Sequence, residues 1–145
     1  MNLIKNKFIV YSLILGFLGF VVATYLTILH FKNVLPPCHL TSNCEKVLTS
    51  QFASIGPIPL ALLGSLFYLA VIFLCVLILT NYKKVFLDAF YAVSTVGFAV
   101  SLILIFIQAY IIHAFCQYCL TSEAISTGIV ILAYLKFRAD KKELV

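Results

Sequence analysis

Two cysteines three residues apart, Cys116 and Cys119, lie in the stretch FCQYCLTS, where one long apolar run gives way to another. A second pair, Cys38 and Cys44, lies in the polar segment PPCHLTSNCEK. Such residues can exchange disulfides, bind metal or simply pack. The thiolate is a nucleophile and a soft ligand, and the thiol is a small hydrophobe. At the start of a helix, the dipole and free amides favour thiolate at the leading cysteine, here Cys116, and Cys119 falls one turn deeper. A water-facing sulfur followed by a membrane-facing one suits electron transfer from a protein dithiol to a lipid-soluble acceptor. Quinone is the obvious acceptor.

The elements that must position these sulfurs are set by composition. The chain is 63% hydrophobic and 10% charged, against roughly 45–50% and about 25% in soluble domains. Its mean hydropathy is +1.13. Apolar runs predict helices at about 8–31, 58–80, 85–112 and 117–137, each near the roughly 20 residues that cross a bilayer core. Backbone amides in lipid must be satisfied within the segment, and no alternating barrel pattern is visible. The expectation is an all-α integral membrane protein, a four-transmembrane-helix bundle in a single domain over residues 1–145, with an outer loop at 32–57. The first run exceeds the roughly 7–15 residues of a signal-peptide core and is read as a retained helix.

Basic residues orient the bundle. Lys5 and Lys7, Lys83 and Lys84, and Lys136, Arg138, Lys141 and Lys142 mark alternate helix ends as cytoplasmic, which places both termini there. The net charge of +5 thus reports topology rather than nucleic-acid binding. All four paired cysteines then face the outer side, where an oxidising compartment favours disulfides or disulfide exchange. Within the loop, SNCEKVLTSQF predicts a short helix capped by Ser42 or Asn43, with Val47, Leu48 and Phe52 on one side. GPIP breaks the chain and opens the second membrane helix. Cys75, inside that helix, reads as a structural apolar residue. Gly16, Gly19 and Gly64 offer close helix approach, and Tyr110 and Tyr118 read as interfacial aromatics.

The segment PCHLTSNCEKVLTSQFASIGPIPLALLGSLFY followed by CQYCL resembles a bacterial homologue of vitamin K epoxide reductase. The resemblance implies that Cys38 and Cys44 take electrons from a separate thioredoxin-fold (DsbA-like) protein. It further implies that Cys116 and Cys119 pass them to ubiquinone or menaquinone, with Ser50 supporting the site. It places the chain in a bacterial inner membrane with the active cysteines on the periplasmic side. The vertebrate enzymes carry tyrosine where this chain has Glu123. Glu123, about one turn inside the membrane, and His113 at its edge are candidates for proton transfer. A Cys/His metal-binding or metal-transport protein is the alternative of a different class. A subunit with two purely structural disulfides is a third reading.

Overall fold

The computed structural model describes residues 3–40 and 43–145, without the side chains of residues 3–5. The Lys5 side chain and the Ser42 capping alternative therefore lie outside the described residues. The chain forms α1 (Leu3–Lys32), α2 (Cys44–Leu48), β1 (Ser54–Ile55), β2 (Ile58–Pro59), α3 (Leu60–Thr80), α4 (Lys84–Phe106) and α5 (Gln117–Leu144). A π-helical turn, Ile107–Ile112, continues α4. The described residues contain four helices long and apolar enough to cross a membrane: α1, α3, α4 with its π-helical end, and α5. Around the bundle, α1 packs on α3 and α5, and α4 packs on the same two helices.

Besides the start of α1 at Leu3 rather than near residue 8, three features differ from the sequence expectation. The span expected from residue 58 begins at Leu60, because Ile58 and Pro59 pair with Ile55 and Ser54 in a two-stranded hairpin. Its two-residue loop starts at Gly56, whose φ of 61° suits the mirror-image turn that hairpin twist requires. The span expected to end at residue 137 continues to Leu144, because ADKKEL holds no helix breaker. The third difference is the change to π-helical geometry at Ile107.

Packing rather than hydrophobicity must hold such a bundle, since lipid tails are as apolar as leucine. On α1, Val10, Ile14, Phe17 and Val21 are exposed, as a lipid-facing stripe requires. The core gathers Ile9, Ala23, Tyr68, Val71, Cys75, Ile78, Leu87, Phe90, Ile129 and Ala133. Cys75 is fully buried there. Buried hydroxyls return to their own helix: Ser12 Oγ donates to Phe8 O at 2.9 Å and Thr27 Oγ1 to Ala23 O at 2.7 Å.

At the end of the bundle away from the cysteine loop, Lys136 is fully buried. Its Nζ donates to both carboxylate oxygens of Asp140 at 2.8 Å and to Tyr82 Oη at 3.0 Å. Lys136, one of the basic residues that mark this helix end, is thus a paired interior cation, as burial of a charge demands.

Close approach of α1 to α3 depends on Gly19. A Cβ there would overlap the Tyr68 ring, and Tyr68 is itself held by hydrogen bonds to Ser122. Gly19→Val is therefore expected to destabilise the bundle by ~1–3 kcal/mol, the usual cost of overpacking. Reversible unfolding in detergent micelles measures this, and wild-type stability in Gly19→Val would contradict the contact.

Candidate active site

The loop folds over the mouth of the bundle as a lid, and its apolar side does the covering. Val47 is buried, with Leu48 and Phe52 packed beside it, against Ile112 and Ala114 at the end of the π-helical turn. Asn43 occupies the N-cap position of α2 but makes no side-chain capping bond. Cys38 and Cys44 are joined in a disulfide with Cα atoms 6.3 Å apart. Cys38 is half-buried, whereas Cys44 is 1% exposed and shares one buried cluster with Cys116 at 0%. Cys116 and Cys119 are thiols. The expectation of a water-facing Cys116 is thus corrected: the lid removes it from water and sets it beside Cys44.

The two residues between the helix cysteines hold this lid. Gln117 Oε1 accepts the Leu40 amide at 2.9 Å, and Tyr118 Oη donates to Pro37 O at 2.8 Å. These contacts bracket Cys38 on both sides. Tyr118 also packs on Tyr25, with ring centroids 5.9 Å apart. Expected as an interfacial aromatic, Tyr118 instead ties the loop to the C-x-x-C turn.

Between the π-helical turn and α5 the backbone breaks, and its amides need acceptors. His113 adopts φ 56°, ψ 37°, ending the turn, with its amide on Gln108 O. The Ala114 amide reaches the same carbonyl at 3.1 Å. The Gln108 side chain supplies the next acceptor: its Oε1 takes the Cys116 amide at 3.1 Å. Its Nε2 then donates to Glu123 Oε1 at 2.8 Å. Sequence reading missed Gln108. The available signal was a lone amide in the apolar run SLILIFIQAYII.

Below the lid lies a cavity of about 480 Å³ whose walls come from all four long helices and the lid. Leu63 and Phe67 of α3 and Val96, Val100 and Leu104 of α4 make one side of it. Val96 and Leu63 are exposed on the bundle surface, so the cavity opens sideways between α3 and α4. Cys119, Ser122, Glu123 and Gln108 bring polar atoms to an otherwise apolar wall. Glu123 is 4% exposed and its Oε2 has no hydrogen-bond partner. An apolar chamber with a few polar residues on one wall has the form of a small-molecule site.

The remaining residues singled out from sequence divide by position. Ser50 lines the cavity and donates to Val47 O at 2.7 Å. His113 is exposed at the turn, and His30 is the histidine lining the cavity. Among the described residues, no three of His, Cys, Asp and Glu cluster as a metal cage would require.

Cys116 is the N-cap of α5, its carbonyl accepting the Leu120 amide at 2.9 Å. No side-chain capping bond forms, but the Cys119 thiol and, secondarily, the amides of Cys119 and Tyr118 favour its thiolate. Against opposing burial, they pull its pKa from 9.0 down to about 6. The thiolate is therefore expected to dominate at neutral pH and to be lost as pH falls through about 6. The ultraviolet thiolate absorbance that Cys116→Ser removes reports this directly. A transition at the ordinary free-cysteine value of roughly 8.5 would contradict it.

Residues 10–134 match the family model described as Vitamin K epoxide reductase family. No curated protein matches the chain. Four apolar spans, two cysteine pairs meeting under one lid and a match over most of the sequence agree: the chain belongs to the vitamin K epoxide reductase family of multi-pass membrane thiol oxidoreductases.

Proposed function

We propose that this protein oxidises a separate periplasmic thioredoxin-fold (DsbA-like) protein and passes the electrons through its two cysteine pairs to a membrane quinone. It does so in a bacterial inner membrane with both termini in the cytoplasm. The observation that carries this reading is the order of the sulfurs: Cys38 half-buried at the surface, Cys44 and Cys116 together under the lid, and Cys119 on the cavity wall.

The steps balance as thiol–disulfide exchange. A thiolate of the reduced partner attacks Cys38, the sulfur nearest water, and releases Cys44. The partner's second thiolate resolves the mixed disulfide and leaves the loop pair reduced. Cys44 then attacks Cys116 of an oxidised helix pair, and Cys119 departs as thiolate. Cys38 resolves the Cys44–Cys116 bond, which re-forms the loop disulfide and leaves Cys116 and Cys119 as thiols.

A quinone in the cavity supplies a two-electron acceptor whose carbonyl oxygens take up protons. Cys119 and Glu123 line the same wall of the cavity, and Glu123 Oε2 has no hydrogen-bond partner. Glu123 is the proton carrier in this reading. The exposed His113 lies on the water side of the turn, suited to proton release. Ser50 fixes the end of α2 through its bond to Val47 O and so steadies the lid above the cavity.

Purified protein is expected to oxidise a reduced thioredoxin-fold protein in a quinone-dependent manner, and Cys116→Ala or Cys119→Ala to abolish it. Cys75→Ala, remote in the core, is expected to leave turnover nearly intact. Oxidised Cys38→Ser protein, lacking the resolving thiol, should accumulate a Cys44–Cys116 bond detectable by peptide mapping. If Cys44 stays free and Cys116 stays bonded to Cys119 during turnover, the relay is wrong. Sidedness is checked separately. After reduction, a membrane-impermeant thiol reagent should reach Cys38 in intact cells, and labelling only after the membrane is opened would reverse the orientation.

A further inference from the structure

Gln108 is 4% exposed and belongs to the π-helical turn, yet its two side-chain atoms point to different elements. The Cys116 amide is a donor only, so the atom facing it must be Oε1. The other atom, Nε2, then has to face Glu123. A flipped amide would set two donors against each other at the cysteine and two acceptors against each other at the carboxylate. The orientation is therefore dictated by the backbone of the active-site turn. The backbone carbonyl of Gln108 adds a second hold on that turn through the His113 and Ala114 amides.

The consequence falls on Glu123. Its Oε1 is occupied by an N–H donor, whereas Oε2 is buried, unpartnered and part of a residue lining the cavity. A proton on Oε1 competes with the Gln108 donor for the same oxygen, and a proton on Oε2 meets no such competition. We propose that Gln108 is a positioning residue: by bridging the Cys116 amide and Glu123 Oε1, it keeps the carboxyl proton on Oε2, the unpartnered oxygen of a residue that lines the cavity with Cys119. This rests on the reading of Glu123 as the proton carrier. With Cys116 as thiolate and Cys119 as thiol, oxidation to the disulfide releases two electrons and one proton; a quinone takes up both electrons, that proton and a second one from water. Glu123 receives the proton from the sulfur side, hands one to the acceptor oxygen, and ends each cycle as it began.

Infrared spectroscopy of quinone-free protein in mildly acidic buffer tests the geometry without turnover. The protonated carboxyl stretch of Glu123 is the band that Glu123→Gln removes. With the proton on Oε2, the carbonyl oxygen is Oε1, and Gln108 lowers its frequency by donating to it. Gln108→Leu should move the band to higher wavenumber, and Gln108→Met, closer in length, serves if the leucine variant does not fold. An unmoved band overturns the proposal, as does the absence of any band that Glu123→Gln removes.

In turnover, Gln108→Leu should lower kcat for quinone reduction at least about tenfold with KM unchanged, part of the roughly 10²–10⁴ that a positioned acid contributes. Wild-type quinone turnover in Glu123→Gln would sink the proton role itself, a failure separable from the spectral one. Slow turnover in Glu123→Gln with wild-type turnover in Gln108→Leu would sink only the positioning role.

Discussion

The site depends on the need to satisfy backbone amides where the chain breaks at the edge of an apolar bundle. Leaving such a donor unpaired away from water costs several kcal/mol on the order of a lost hydrogen bond or more. Residues 113–116 contain that break, and one residue answers most of it. Gln108 offers its carbonyl to His113 and Ala114 and its side chain to Cys116. The π-helical turn is the geometry that brings these groups into reach. Such turns interrupt α-helices mostly at functional places, and here the interruption delivers Cys116 to the N-cap of α5.

With Cys116 fixed, the rest of the site follows from two kinds of contact. Apolar burial draws α2 down through Val47 and so brings Cys44 to Cys116. Polar contacts from Gln117 and Tyr118 then hold the strand of loop on either side of Cys38. The C-x-x-C turn therefore has two duties, since its outer residues carry sulfur and its inner residues hold the lid. Away from the lid, the Lys136, Asp140 and Tyr82 group closes the other end of the bundle. Between the two ends, the cavity is the place where packing is left open.

Much of this was legible because membranes impose strong rules. Twenty-residue apolar runs announce spans, and the pairing of cysteines in a polar loop and at a helix start announces redox chemistry. The family resemblance rested on the same residues. What could not be read were features created by tertiary contact. The hairpin at Ile55 and Ile58 is too short to leave a periodic signal. Lys136 and Asp140 lie one turn apart on α5, but the cover at Tyr82 that buries the pair is brought to it only by the bundle. Cys116 looked water-facing because the depth argument for a helix start takes no account of a lid. Gln108 differs from these cases. An amide in the middle of an apolar run is costly unless used, so its presence signalled a role while its partners stayed hidden.

The burial pattern of the four sulfurs also bears on who may speak to them. Cys38 is half-buried in the loop, while Cys44 and Cys116 are buried beneath it and Cys119, half-buried, lines the apolar chamber. A bulky molecule arriving from the loop side would meet Cys38 before the buried Cys44 and Cys116. The lid is thus a cover that withdraws two of the four sulfurs from solvent while leaving one near the outside.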